Sequence, residues 1–254
     1  MERIEGSLYT RGIHLSGWLY ILALFSILLF LVLNMGLWQH FLGFLFPKES
    51  EVIYPRADLF TLLREHVRLV FVSSTAAVAV GVGAALFVTR PFGKAFLPIV
   101  NDLSSLAQTI PPVAVLALAV PFIGFGFKPT VLALFLYSIL PVLRNTISGI
   151  ESISPNLIEA AFGMGMKRSQ ILVKVELPLA IKVIMAGIRT SVVINVGTAT
   201  AGAVVGAGGF GAPIISGLVR ENPAFVLEGA ISAAILAFVL DQTLAKFEQS
   251  LFRG

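Results

Sequence analysis

The sequence contains no cysteine, only three histidines, and few charges: Asp, Glu, Lys and Arg make up 13% of its 254 residues. Without cysteine there is no disulfide framework, no thiolate metal site and no thiol nucleophile. His14, His40 and His66 all lie within the first 66 residues, an unpromising set for a histidine-built metal centre, and none is expected. A soluble domain carries about 25% charged residues. Here apolar residues reach 57%, so there is too little charge to cover a surface facing water. Disorder is excluded on the same ground, because disordered segments are polar and highly charged. What the chain has in excess is apolar surface, for which a bilayer is the natural solvent. The net charge of +4 is scattered among apolar blocks. That pattern suits the loops of a membrane protein and gives no basic patch for nucleic acid. An all-α integral membrane protein is expected.

Charge-free stretches place about six spans. Residues 15–47 carry no Asp, Glu, Lys or Arg, and twenty residues separate Trp18 from Trp38, the only two tryptophans. A helix of that length is roughly 30 Å long, with one tryptophan at each interface. A cleaved signal peptide is the competing reading, weakened by the length of the run and the lack of a small-x-small site after it. Further spans are expected at Leu69–Thr89, within Leu103–Phe127, at about Thr130–Ile150, from Pro178 toward the glycines at 206–211, and at about Pro223–Ala245. Polar segments remain at 39–68 and 151–177. With the amino terminus inside, eleven Lys and Arg fall on the inner side and six outside, which favours both termini in the cytoplasm.

The segment 151–177 is too short and too charged to cross a bilayer. It reads as two short amphipathic helices joined by a glycine turn. Ser154 can cap the first, with Pro155 at its first position, where a missing N–H costs nothing. Leu157, Ile158, Ala161 and Phe162 share one face, Gly163 and Gly165 end that helix, and Lys167-Arg168-Ser169 starts the next. Within it, Glu159-Ala160-Ala161, then Gly165, then Val175 and Leu177-Pro178 resemble the EAA motif of ABC-importer permeases. The usual motif has Ile where this chain has Val175, a change that keeps a β-branched apolar residue.

That resemblance implies a type I ABC-importer (MetI-like) permease fold. It implies a coupling helix that docks on a separate ABC ATPase subunit: Glu159 at the contact, Ala160 and Ala161 allowing close approach, Gly163 and Gly165 at the turn, Leu177 and Pro178 leading into the next span. A narrower resemblance, carried by Gln108-Thr109-Ile110-Pro111, Arg144-Asn145-Thr146, Gly197-Thr198-Ala199-Thr200 and Gly206–Gly211, is to osmoprotectant permeases. It implies import of glycine betaine, choline, carnitine or a similar quaternary amine into a bacterial cell across the cytoplasmic (inner) membrane. The first helix and its loop, 1–68, fall largely outside this match, and 69–254 forms the expected permease core. Methionine or another amino acid is the alternative solute.

Several residues have two readings. Pro111-Pro112, Pro121 and Pro141 each interrupt a helical ladder; singly each is a packing kink, together they suit a gate. Gly206–Gly211 also fits G-x-G-x-x-G, but it follows a membrane-length apolar run and not a strand, so nucleotide binding is rejected. The glycines instead let the fifth helix end and let backbones approach. Candidate path or gate residues are Pro111, Pro112, Asn145, Thr198, Thr200, Gly208 and Gly209. Arg189, deep in the fifth span, is read first as a structural pair and second as a solute contact.

No G-x-x-x-x-G-K-[ST] sequence occurs, so the chain is expected to be no enzyme and to hold no cofactor, with ATP and Mg on the partner ATPase. The resemblance further implies an extracytoplasmic substrate-binding protein and a second permease, copy or paralogue, alongside membrane lipid. An ion-coupled carrier is the alternative of another class. Such carriers place acidic or histidine relays in their spans, and here Glu228, with Asp241 near the inner end of the last span, is the sole acidic candidate.

Overall fold

The computed structural model describes residues 2–251, with side chains described for 18–250. Met1 and residues 252–254 lie outside it, and with them Arg253, one of the cations counted on the inner side; the side chains of Arg3, Arg11 and His14 also lie outside. Every regular element among the described residues is helical. The α-helices are α1 (Glu2–Leu33), α2 (Met35–Leu45), α3 (Leu59–Val88), α4 (Leu97–Thr109), α5 (Pro112–Ile123), α6 (Phe127–Glu151), α7 (Pro155–Gly163), α8 (Arg168–Ile171), α9 (Leu177–Ala199), α10 (Gly211–Arg220) and α11 (Pro223–Leu251).

Three of these, α3, α6 and α11, are long and apolar enough to cross a membrane as single helices. Two more stretches reach that length and apolarity only as bent pairs of helices, the geometry of a broken span or a re-entrant loop. The first breaks at Asn34, where the axis turns by 74° between α1 and α2. Asn34 causes the break by capping α2: its Oδ1 accepts the Leu37 N–H at 3.2 Å. The expected pairing of two interfacial tryptophans is corrected by this bend. Trp38 lies past it, 4% exposed, with its indole N–H donated to the Leu31 carbonyl at 2.9 Å.

The expected third span is likewise two helices, α4 and α5, turned by 96°. Pro111 excludes helical backbone at the residue before it, and Ile110 is extended at ψ 122°. Pro112 then opens α5 from its first turn, where no N–H is needed. The fifth expected span corresponds to α9. Its 23 residues give about 34 Å of helix, enough to cross, although Lys182 and Arg189 lie within it. Past α9 the apolar run breaks into a 3-10 turn at Thr200–Val205, a left-handed Gly206, and the separate helix α10.

The polar stretch 39–68 is shorter in the fold than in the sequence. Helix α2 takes it up to Leu45, and α3 begins at Leu59, ten residues before the expected Leu69. The early start follows from Asp58, whose Oδ1 accepts the Thr61 N–H at 2.6 Å. Hydrogen bonds from Thr61 hold the Asp58 carboxyl below its ordinary range.

By contacts the chain forms two compact units, residues 1–66 with 208–254, and residues 67–207. In the first, α11 packs against α1, α2 and α10. Its buried interior includes Leu42, Leu59, Leu62, Phe210 and Phe225. In the second, the dominant contact is α6 against α9, with α4 and α5 laid on α6. Pro141 removes one ladder bond inside α6 and frees the Tyr137 carbonyl. That carbonyl is met by the Gln108 side-chain amide from α4 at 2.6 Å, as apolar surroundings require.

Candidate functional site

The segment between α6 and α9 folds as a surface hairpin. Pro155 occupies the first turn of α7, and Ser154 precedes it in extended backbone, without the side-chain cap expected of it. The helix stops in a Schellman arrangement: Met166 N–H donates to Ala161 O at 3.1 Å and Gly165 N–H to Phe162 O at 2.9 Å. Gly165 stands at φ +81°, the left-handed position that this stop demands and that a side chain resists. Helix α8 restarts at Arg168, with the Lys167 N–H donated to Gln170 Oε1 at 2.8 Å.

A π-turn, Leu172–Glu176, joins α8 to α9. Leu177 N–H reaches back to the Leu172 carbonyl, five residues away. Pro178, lacking an N–H, cannot make the bond that would hold an ordinary α turn there. The Leu177-Pro178 pair therefore sits at a widened turn at the root of α9.

The outward side of this hairpin is apolar around one carboxylate. Leu157 and Phe162 are nearly half exposed and Met164 is 75% exposed, while Glu159 and Ala160 face outward beside them. Ala161 is the exception, 2% exposed and turned inward, so that α7 lies close on its own unit. Beneath α7 run two grooves. One, of about 470 Å³, is lined by Pro91, Phe92, Ile158, Phe162, Ile171 and Leu172. The other, of about 540 Å³, runs past Ile150, Ile153, Ile158 and Glu159. Arg90 and Glu176 border both.

The candidate path residues are spread. Pro111 and Pro112 form the α4–α5 break, Pro111 exposed and Pro112 half-buried. Asn145 lies on α6 where α9 crosses it, and donates its amide to the Pro141 carbonyl at 2.8 Å. Thr198 is half-buried on α9, and the Thr200 hydroxyl donates to Gly197 O at 2.7 Å. Gly208 and Gly209 belong to the other unit. There the Gly209 N–H donates to Glu65 Oε2 at 2.8 Å, and the Phe210 N–H to His66 Nδ1 at 3.2 Å. Two consecutive side chains of α3 thus satisfy the amides that lead into α10, which would otherwise be orphan donors. Glu65→Ala is expected to speed hydrogen exchange at Gly209 and Phe210 by about tenfold, a loss of one charge-assisted bond. Unchanged exchange there would show that Glu65 does not hold the loop.

Sequence reasoning passed over a buried polar group in the second unit. Asn195 on α9, wholly buried, donates its amide to Ser74 Oγ at 2.8 Å and Ser73 Oγ at 3.2 Å on α3. Its Oδ1 and the neighbouring Ser191 hydroxyl have no hydrogen-bond partner. Polar residues inside a charge-free run were the available signal. Among the described residues no three metal-ligating side chains converge.

Comparison with known proteins agrees with this architecture. Residues 77–253 match the family of binding-protein-dependent transport system inner membrane components. The osmoprotectant import permease protein OsmY of Salmonella typhimurium is 38% identical over 89% of this chain and 93% of its own length. The choline transport system permease protein OpuBB of Bacillus subtilis is 39% identical over 84% and 94%. Among solved structures, an inward-facing form of the MetNI methionine ABC transporter matches with a TM-score of 0.66 at 24% identity, over 74% of this chain and 94% of that one. At that identity the likeness speaks for the fold.

Proposed function

The chain belongs to the family of binding-protein-dependent transport inner membrane components, and from that premise we propose that it carries small quaternary amines of the osmoprotectant type into the cell. Glycine betaine, choline and carnitine are the solutes, by likeness to the relatives named above. An extracytoplasmic binding protein delivers the solute, and two permeases, identical or paralogous, enclose the path between them. ATP and Mg bind a separate ATPase, so the energy enters from outside this chain. The ATPase docks on α7 from the cytoplasm, where both termini of this chain also lie, and its closure moves the hairpin 151–177. The helices rooted in that hairpin then open the path to the opposite side.

The observation that carries this reading is the outward face of α7: Leu157, Phe162 and Met164 exposed around Glu159 on a helix of nine residues. A helix of that length cannot span a bilayer. An apolar patch with one carboxylate at its centre fits a protein groove that covers the patch and pairs the charge.

Uptake of labelled glycine betaine, choline, carnitine and methionine, measured in cells with and without this chain, tests the proposal. Accumulation of the quaternary amines that depends on ATP and on the chain is expected. Accumulation of methionine alone would reassign the solute, and accumulation that persists without ATP would point to an ion-coupled carrier. Glu159→Lys is expected to lower uptake at least about tenfold while the chain still inserts, because a reversed charge at a desolvated contact costs several kcal/mol. Co-purification of the ATPase with the wild type and not with this variant would place the defect at docking; uptake equal to wild type would remove Glu159 from the contact.

A further inference from the structure

Arg90 and Glu176 lie eighty-six positions apart in the chain and meet at one point, with Arg90 Nη1 2.7 Å from Glu176 Oε2. Their side chains are only 21% and 12% exposed, so salt screens the pair little. Neither residue belongs to the outward face of α7. Arg90 stands two residues past the end of α3, in a turn closed by its own N–H to Phe87 O at 3.1 Å and by the Thr89 hydroxyl to Ala85 O at 2.9 Å. Glu176 is the last residue of the π-turn between α8 and α9. A π-turn adds one residue to the helix, which rotates what precedes it by about 100° relative to an unbroken α-helix. The widened turn above Pro178 therefore sets how the α7–α8 hairpin is rotated about α9, and Glu176, where the turn meets α9, carries the carboxylate that reaches Arg90.

The pair is close but not saturated. Arg90 Nε is buried without a hydrogen-bond partner, and the 2.7 Å approach of Glu176 Oε2 lies off the line of a hydrogen bond. An arginine and a carboxylate at their best form two parallel bonds, so this contact holds by charge and has a tighter geometry in reserve. Buried polar groups left short of partners call for an explanation. The two grooves of about 470 and 540 Å³ on either side of the pair supply room for the hairpin to shift around it.

We infer that the Arg90–Glu176 ion pair is the tie through which displacement of the α7–α8 hairpin is passed to the end of α3. It is a positioning pair and touches no solute. The hairpin is already continuous with α6 and α9 through the chain itself; Arg90 is what ties the inner end of α3 directly to the same movement. The inference rests on the reading of α7 as the ATPase contact.

Two measurements on the full chain test it. In proteoliposomes holding the permease, its ATPase and its binding protein, Glu176→Gln and Arg90→Gln are expected to leave ATP hydrolysis within about twofold of wild type and to lower solute moved per ATP about fivefold or more. The exchanged pair, Arg90→Glu with Glu176→Arg, recovers at least about half of that loss, the interaction term of a double-mutant cycle. An unchanged ratio in both single variants, or an exchanged pair no better than either, overturns the tie. Hydrogen exchange of residues 168–177 in the bilayer-embedded permease alone gives the second measurement. It rises in the single variants and returns in the exchanged pair; no rise overturns the tie. This second readout needs neither solute nor ATPase, so failure of the wild type to move any quaternary amine would count against the proposed solute and leave the tie to be decided by exchange.

Discussion

Replacing Gly165 with proline is expected to abolish ATP-driven uptake while the chain still inserts in the membrane. Proline is held near φ −65°, whereas position 165 stands at φ +81°. The substitution also deletes the N–H that donates to Phe162 O at 2.9 Å. Both halves of the Schellman stop are lost together, at a cost of about 3 kcal/mol or more. The cost falls on nine residues of α7 outside the spans, so insertion and packing of the spans proceed. What changes is the direction in which the chain leaves α7, and with it the placement of Glu159 and Met164. Gly165→Ala grades the effect: a left-handed alanine costs about 1–2 kcal/mol, so uptake falls partway. Uptake, surface abundance and ATPase co-purification measured side by side check this. Full uptake in Gly165→Pro would mean that the hairpin has no set geometry to lose.

The hairpin was legible because its signals are local. Pro155 starts a helix and Gly165 stops it whatever surrounds them, and both do so in the fold. The spans were legible from charge-free length, though not their straightness. Pro111-Pro112 announced an interruption, while its 96° angle depends on what α4 and α5 pack against. Asn34 gave no such warning, since asparagine is tolerated within helices and acts as a cap only where the following backbone turns. The pairs that bind distant segments were not legible at all. Asn195 meets Ser73 and Ser74 across more than one hundred and twenty positions, and Arg90 meets Glu176 across eighty-six. Each required knowing which faces of α3 and α9 come together, and the rotation of the hairpin about α9 required knowing the added residue of the π-turn as well. Pro178 was visible in the sequence, but read alone it marked only the start of a helix.

A second large effect is expected at Gly187, and it should differ in kind. Gly187 is buried on α9 where that helix crosses α6, the most extensive helix contact in its unit. A Cβ there would stand 2.6 Å from the Asn145 Cβ and 2.8 Å from the Pro141 carbonyl oxygen. One of those atoms is backbone and the other is fixed to it, so neither can swing aside. Gly187→Ala must part the two helices by a few tenths of an ångström, and Gly187→Leu by much more. Overpacking in a close-packed interior costs about 1–3 kcal/mol per site, occasionally more. Lipid gives no hydrophobic push to offset that cost, because helix association in a membrane rests on close packing itself. Gly187→Leu is therefore expected to lower the amount of folded chain in the membrane several-fold and to drop its thermal midpoint by several degrees, with Gly187→Ala between it and wild type. Gly83→Ala is the control, since a Cβ at Gly83 meets no atom within 4 Å. Gly165→Pro leaves a folded chain that does not transport; Gly187→Leu should leave little folded chain. Should Gly187→Leu accumulate and melt like the wild type, α6 and α9 do not cross at Asn145, and the core of this unit is packed in some other way.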